Sequence, residues 1–492
     1  MVATQIEKEL IADVYINRNN TITGASFRSI LFNGYRGLLV GQPALSSIDI
    51  TSRVFGFCGG AHQQAAVMAL EHLSESTVPP NALLLRSIIN AAETIQNSIK
   101  WFYTSFAPDL TNEFFRDFPL HQIVANRFSA FKGTSFRQGL IGATYPLSLY
   151  SSIAGQWPHA DIIVPGGVAR SFTKQEIAQS KKIIQDFKQK WLEPVLLNGT
   201  IESYLEISSW KELLAWFFES KNHQDGDLGL FFRTCMEYGL DTIGGGKHPF
   251  LSFGSFLNSS SESIVSPSNY LKSVKFSSGV FHKTKYSNVQ TDVFIEELSK
   301  ITDCSIADVL SGMKAYEVGS LARMIMLGRN KKSKDHSPSS NLVKDIYAHK
   351  ESSIFLRGFA RLHELIVLTD YIENSLDEFD IKGTLHLPTK LQDGLGLGIT
   401  EAPRGSLAHL VELEKGKIKK YQILAPTISN INVGARDNKY APLGQALVGL
   451  TINNLEKPIE IGLVARSFDV CVRCTINFKK SRSKQDISQT TI

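Results

Sequence analysis

A long helical repeat between residues 81 and 102 determines the architecture that this sequence predicts. Apolar residues recur there at spacings of four, three, four, four and three, at Leu84, Ile88, Ala91, Ile95, Ile99 and Phe102. This spacing predicts one apolar face of a long buried helix. Helical periodicity also appears in three later segments, at residues 174–192, 317–327 and 353–368. The sequence therefore predicts a mainly α fold with a central helical bundle.

The remaining segments add small β elements and loops to this bundle. Residues 10–30 alternate between polar and apolar side chains, which predicts a hairpin. The glycines at 394, 396 and 398 are interpreted as loop residues, and the absence of a following Lys-Ser/Thr excludes a phosphate-binding loop. We expect an α+β fold with residues 1–477 as a single domain. The polar, basic residues 478–492 are expected to form a C-terminal tail.

Composition excludes several classes of function. The 492 residues are 43% apolar and 20% charged, which is typical of a globular protein. A net charge of +5, without basic runs interleaved with aromatics, argues against nucleic-acid binding. The sequence contains no apolar run long enough to span a membrane and no signal-peptide core. Five cysteines are too few for a disulfide framework, which favours a reduced, cytoplasmic protein.

Two cysteine-containing segments lie near opposite ends of the chain. The first runs from Arg53 to His62 and contains Cys58, and the second contains Cys471 and Cys474 after Asp469. A Cys-x-x-Cys pair alone indicates a redox pair, half a zinc site or a chance occurrence. The other two cysteines, at 235 and 304, have apolar surroundings and are interpreted as packing residues.

Both segments resemble the metal-binding motifs of nickel–iron hydrogenase large subunits. In that family, Arg-x-Cys-Gly-x-Cys-x-x-x-His precedes a C-terminal Asp-Pro-Cys-x-x-Cys-x-x-His. This sequence matches both motifs except at Phe55, Val470 and Asn477. Further similar blocks occur in the same order along nearly the whole chain: Gln5–Glu9, Phe32–Arg36, Phe102–Tyr103, Trp157–Val168, Tyr316–Arg323 and Glu401–Gly405. The resemblance implies the helical fold shared with the quinone-side subunit of respiratory complex I.

The resemblance implies a nickel–iron centre bound by cysteines. Cys58 and Cys474 align with the thiolates that bridge nickel and iron, and Cys471 aligns with one that binds nickel alone. Thiolates are soft ligands suited to both metals. Phe55 stands where the family has the fourth cysteine. The iron of such enzymes also carries cyanide and carbon monoxide.

Four polar residues align with functional positions of the family. Glu7 aligns with the general base that takes a proton from the terminal thiolate, and Arg404 with the guanidinium over the iron. Asp469 aligns with the acidic partner of that guanidinium, and His62 with the histidine that orients a bridging thiolate. From the residues alone, Arg404 and Asp469 could equally form a structural ion pair, and Glu7 could lie on the surface.

Other positions depart from the family pattern. Arg36 and Asn477 replace the glutamate and histidine of a divalent-cation site. We therefore expect no magnesium, and a guanidinium of Arg36 that supplies the lost positive charge near Asn477. Asn97 replaces an aspartate of the pocket. The resemblance also implies a protease that cleaves after the terminal position, here the Asn477–Phe478 bond.

These features predict an oxidoreductase that acts on H₂ and protons or on a substitute small molecule. The cysteines do not suffice for an iron–sulfur cluster, so electrons would pass to a separate small subunit that carries clusters. Maturation proteins are further expected partners, and other subunits could hold the protein at a membrane. The alternative hypothesis is a metal-free or metal-poor scaffold like the quinone-side subunit of complex I.

Overall fold

A computed structural model provides the structure of the chain. It describes residues 9–29, 34–74, 77–257, 274–276, 279–282, 285–287, 316–328, 337–431, 441–471, 473–480 and 486–491. Glu7 and Cys304 lie outside these residues. Cys474 is described by its backbone alone.

Helices make up most of the described chain. The first nine are α1 (Gly34–Leu39), α2 (Ser46–Val54), α3 (Gly59–His72), α4 (Pro80–Lys100), α5 (His121–Phe128), α6 (Thr134–Gly142), α7 (Thr144–Ala154), α8 (Lys174–Phe187) and α9 (Ile201–Leu205). The later ones are α10 (Trp210–Glu219), α11 (Lys221–Asp225), α12 (Asp227–Glu237), α13 (Ser320–Leu327), α14 (Leu342–Lys350), α15 (Ile354–Glu378), α16 (Pro426–Ile431), α17 (Pro442–Leu447) and α18 (Ile459–Ser467). Short 3₁₀ segments lie at Gly56–Cys58, Ala107–Thr111, Glu113–Phe115 and Pro338–Asn341, and π-helical segments at Trp101–Phe106 and Lys188–Leu197.

The strands form small separate sheets. They are β1 (Glu9–Ile16), β2 (Ile22–Ser29), β3 (Ile163–Val164), β4 (Gly167–Val168), β5 (Phe250–Ser252), β6 (Ser255–Leu257), β7 (Val274–Phe276), β8 (Gly279–His282), β9 (Lys285–Ser287), β10 (Gly394–Ala402), β11 (Gly405–Glu414), β12 (Lys417–Leu424), β13 (Arg473–Lys480) and β14 (Asp486–Thr491). The two larger sheets have the strand orders β14-β13-β1-β2 and β10-β11-β12. The predicted mainly α fold with small β elements is confirmed.

The predicted long helix is α4, and it lies at the centre of the molecule. It packs against α3, α7 and α15, and every residue from Ala82 to Ile99 is buried. The sequence predicted one apolar face, but the polar side chains of α4 are buried as well. For example, Asn90 donates to the Glu401 carbonyl at 3.0 Å. The polar face of α4 therefore faces other parts of the fold rather than solvent.

The expected loop around Gly394, Gly396 and Gly398 is instead strand β10, so that prediction was wrong. The glycines are needed because β10 packs directly on the backbone of α3. A Cβ at Gly398 would lie 1.9 Å from the Ala65 carbonyl oxygen, and one at Gly396 would lie 2.1 Å from that of Ala69. This close contact fixes α3 against the sheet whose β10–β11 turn carries Arg404.

The two ends of the chain meet in one sheet. Strand β13 pairs in parallel with β1, with Asp13 opposite Asn477 and Leu10 opposite Cys474. The expected tail boundary at residues 477–478 falls inside β13, and the side chain of Phe478 is 0% exposed. Strand β14 continues the sheet beyond β13. Cleavage of the Asn477–Phe478 bond would therefore remove a buried aromatic ring and part of a paired strand.

Candidate metal centre

Cys58 lies in a tight connection between two helices. Helix α2 ends at Val54 and is followed by Phe55. The 3₁₀ turn Gly56–Cys58 comes next, and α3 begins at Gly59. The Cys58 amide donates to the Phe55 carbonyl at 3.1 Å, and the cysteine is 8% exposed. The connection places Cys58 at the N-terminus of a helix, where the backbone N–H groups favour negative charge.

The second cysteine segment begins where α18 ends. Asp469 has a φ of 53°, in the left-handed region that aspartate adopts more readily than most residues. This conformation turns the chain out of the helix before Cys471. The Cys471 amide then donates to Thr427 Oγ1 at 3.3 Å, and the residue is half-buried.

Arg404 joins the two cysteine segments electrostatically. Its Nε lies 3.3 Å from Asp469 Oδ2, and Arg361 Nη1 lies 2.9 Å from the same oxygen. Burial alone would lower the pKa of Arg404, but the negative charges of Asp469, Cys471 and Cys58 raise it above its usual value. The structure therefore brings together four predicted site residues: Cys58, Cys471, Asp469 and Arg404.

A buried ion network holds the turn that carries Arg404. Arg323 donates to Glu401 Oε2, to the Ala402 carbonyl and to the Pro403 carbonyl at 2.9, 2.9 and 3.0 Å. Arg323 also pairs with Glu364 at 2.5 Å, and all three ionic side chains are at most 1% exposed. A buried pair of this kind is costly to break, because the remaining charge is left without a partner. The network thus restricts the position of Arg404.

Glu93 of α4 is a site residue that the sequence did not reveal. Its carboxylate accepts hydrogen bonds from the amides of Gly60 and Ala61, two and three residues after Cys58, at 3.0 Å each. Burial raises the pKa of Glu93 to about 7, although those hydrogen bonds, Trp157 and Arg404 lower it in part. The signal available in the sequence was a carboxylate in the middle of a helix predicted to be buried. Apolar periodicity hid this signal, because it assigns the polar residues of a helix to the solvent-facing side.

His62 belongs to a buried chain of hydrogen-bonding rings. Its Nδ1 lies 2.9 Å from His409 Nε2, and His409 Nδ1 lies 2.8 Å from the Tyr421 hydroxyl. Burial lowers the pKa of His409 to about 3, so this imidazole is neutral and donates on one side only. The Phe55 ring stacks on His62 with centroids 4.0 Å apart and an interplanar angle of 6°.

The other predicted positions have different surroundings. Arg36 donates to Gln422 Oε1 at 2.5 Å. Asn477 donates to Asp13 Oδ1 at 3.2 Å, and Lys479 lies 3.2 Å from the second oxygen of that carboxylate. The replacement of a cation by Arg36 therefore remains a prediction.

Several known proteins are similar to this chain in sequence. A sequence profile described as nickel-dependent hydrogenase matches residues 34–113 and 311–477, which together are half of the chain. The chain belongs to the nickel-dependent hydrogenase family. Its similar relatives include the periplasmic [NiFeSe] hydrogenase large subunit of Desulfomicrobium baculatum, 22% identical over 96% of this chain and 93% of that protein. The Hydrogenase-2 large chain of Escherichia coli is also 22% identical, over 99% and 98% of the two chains.

Solved hydrogenases share the fold. The Ni-Fe-Se hydrogenase of D. vulgaris Hildenborough in its reduced state superposes with a TM-score of 0.70 at 20% identity, over 94% of this chain and 99% of that one. An [NiFeSe] hydrogenase of Dm. baculatum gives a TM-score of 0.71 at 20% identity, over 94% and 98%. The predicted large-subunit resemblance and the hydrogenase-type oxidoreductase class are confirmed. In the part of the chain that the structure describes, no helix is long and apolar enough to cross a membrane.

The residues of the pocket fit a thiolate-bound metal. Cys58 and Cys471 both raise the pKa of the Arg404 guanidinium. As thiolates, the two side chains would provide soft ligands for nickel or iron. Among the described residues, the buried Nη1 atom of Arg404 has no hydrogen-bond partner, so it can donate to a ligand. Among the described side chains, no group of three or more His, Cys, Asp or Glu has metal-binding geometry. The side chain of Cys474 is not among them.

Glu93 predicts a specific dependence of stability on pH. Between its ordinary pKa of 4.5 and its folded value of about 7, the folded chain binds a proton that the unfolded chain releases. This contribution to stability is therefore full below about pH 4.5 and is lost as the pH rises to about 7. Relative to Glu93→Gln, the wild type should lose roughly 3 kcal/mol across this window. Urea unfolding at about pH 5 and about pH 8 measures the difference.

The exposed Glu456→Gln provides the control for this comparison. Its unfolding free energy should follow the wild type at both pH values. Parallel pH profiles for wild type and Glu93→Gln would contradict the assignment of a raised pKa to Glu93.

Proposed function

We propose that this chain is the catalytic large subunit of a nickel–iron hydrogenase-like redox enzyme, with a metal centre bound by Cys58, Cys471 and Cys474. The observation that carries the proposal is the ion pair of Arg404 with Asp469, two residues before Cys471, on a guanidinium whose pKa both Cys58 and Cys471 raise. These cysteines come from opposite ends of the chain, so a pocket between them exists only in the folded protein. Membership of the nickel-dependent hydrogenase family supports the choice of metals.

Each residue of the pocket has a definite role in this proposal. The three cysteines hold the metals, and Arg404 stabilises negative charge beside them. Asp469 orients Arg404 through its ion pair, and His62 orients the neighbouring thiolate. Glu7 would accept a proton from the thiol of Cys471. The bound centre would supply the chemistry that converts H₂ to two protons and two electrons, or a comparable reaction of a small molecule.

An enzyme of this kind needs partners and ligands beyond this chain. We propose an iron–sulfur small subunit as the electron acceptor, cyanide and carbon monoxide on the iron, no magnesium, and maturation proteins that insert the metals. Relatives of this chain are large subunits, which supports a subunit partner. Exposed apolar residues in the segment that precedes Cys58 would provide surface for such a partner: Leu38, Val40, Leu45 and Phe57. A cytoplasmic location remains a proposal, since one relative is described as periplasmic.

The second candidate function is a metal-poor scaffold. Phe55 favours it, because its ring occupies a position where the family has a ligand and stacks on His62 instead. Such a chain would keep the fold and the subunit contacts but would not hold nickel.

Metal analysis of the protein purified from its native host separates the two functions. The wild type should contain about one nickel and one iron per chain, because three thiolates remain to bind them. Cys58→Ser and Cys471→Ser should lose nickel. Cys235→Ala should retain it, because Cys235 is fully buried in α12 and belongs to the apolar core. Infrared bands of metal-bound CO and CN⁻ would test the iron ligands.

Two metal-analysis results would decide against the proposal. Wild-type protein without nickel and iron would favour the scaffold. Metal retained in both serine variants would place the centre elsewhere.

Phe55→Cys tests the significance of the missing ligand. A fourth thiolate adds an anionic donor, so the redox couples of the centre should shift to lower potential than in the wild type. Phe55→Ala is the matched control, because it removes the stacked ring without adding a donor. Potentiometric titration of the three proteins measures the shift. Equal potentials for the cysteine and alanine variants would show that residue 55 does not reach the metal.

A further inference from the structure

Two side chains of α4 bind the backbone on either side of Cys58. Glu93 accepts the amides of Gly60 and Ala61, which follow Cys58, at 3.0 Å each. Asn97 donates through Nδ2 to the carbonyl of Phe57, which precedes Cys58, at 3.1 Å. Helix α4 therefore contacts the segment 57–61, which we call the cysteine loop, on both sides of Cys58.

The helical spacing makes this arrangement rigid. Residues four apart on a helix share one face, so Glu93 and Asn97 approach the loop from the same side. Glu93 is 1% exposed and Asn97 is 6% exposed, and Asn97 Nδ2 also donates to the Glu93 carbonyl at 2.9 Å. Gly60 permits the close approach, because a Cβ there would lie 3.1 Å from the Glu93 carboxylate and 2.8 Å from the Tyr150 hydroxyl.

We propose that Glu93 and Asn97 are positioning residues that fix the cysteine loop and thereby hold the Cys58 thiol beside Arg404. The pair forms what we call the α4 clamp. The importance of the clamp for a metal centre rests on the proposed function. The clamp itself belongs to the metal-free chain and can be tested there.

The charge on Glu93 gives the clamp a second property. An ionised carboxylate accepts stronger hydrogen bonds than a neutral carboxylic acid. The groups that face Glu93 are the α3 amides of Gly60 and Ala61, the Tyr150 phenol from α7, the Trp157 indole and the Arg404 guanidinium. Since burial raises the pKa of Glu93 to about 7, the strength of its hold on the loop should change as the pH passes through this value.

Alkylation of individual cysteines tests the clamp directly. The full-length chain is kept metal-free with a chelator and treated with iodoacetamide, and peptide mass spectrometry follows each cysteine. Glu93→Gln and Asn97→Leu should each raise the Cys58 rate about tenfold, because each loses a buried hydrogen bond that keeps the loop closed. Cys235, which is fully buried in α12, provides the internal reference and should not change.

Thr94→Val is the matched control variant. Thr94 is buried on the same helix between the two clamp residues, but its hydroxyl bonds only within α4, to the Asn90 carbonyl at 2.9 Å. This variant should leave the Cys58 rate unchanged. If Glu93→Gln does not fold, Asn97→Leu alone decides the test by the ratio of its Cys58 and Cys235 rates.

The pH profile provides a readout that general destabilisation would not change. In the wild type and in Asn97→Leu, the Cys58 rate should show an inflection near pH 7 from Glu93, in addition to the ionisation of the thiol. Glu93→Gln should lack this inflection. Equal increases at Cys58 and Cys235, unchanged Cys58 rates in both variants, or an inflection that persists in Glu93→Gln would each overturn the proposal. None of these results depends on metal content, so a failed clamp is distinguishable from a failed metal centre.

Discussion

The position of the Arg404 guanidinium is the constraint on which the site depends. A guanidinium stays charged in any protein environment, so its burial requires anionic partners. Asp469 pairs with both Arg404 and a second arginine, Arg361, and Cys471 and Cys58 also raise the pKa of Arg404. Groups from both the N-terminal and the C-terminal segments therefore favour the charged form of Arg404.

Several parts of the surrounding fold hold the turn that carries Arg404 and the loop that carries Cys58. Arg323 binds the carbonyls that precede Arg404, and Asn90 of α4 binds the Glu401 carbonyl. The same helix, α4, contacts the Cys58 loop through Glu93. Glycines in β10 let α3 lie directly on the sheet whose β10–β11 turn carries Arg404. Helix α4 is thus a common support for the cysteine loop and the arginine turn.

The sequence predicted the elements better than their contacts. Apolar periodicity located α4, and alternation located the β1–β2 hairpin, because both patterns record which side faces the core. Periodicity could not show that Glu93 is buried, since a polar residue on a helix is ordinarily assigned to solvent. The sequence also assigned the glycines of β10 to a loop, because the contact that requires them is with the backbone of alanines in α3. It assigned the polar residues after Asn477 to a tail, whereas the first of them continue β13. Those features depend on partners distant in sequence.

We propose that a metal centre is held by three cysteines, with Phe55 stacked on His62 in place of a fourth. X-ray absorption at the nickel edge, on protein purified from its native host, counts the sulfur ligands directly. A three-cysteine centre predicts nickel with about three sulfur neighbours in the wild type, and no bound nickel in Cys471→Ser. Nickel with no sulfur neighbours, or a sulfur count that does not change in Cys471→Ser, would contradict it.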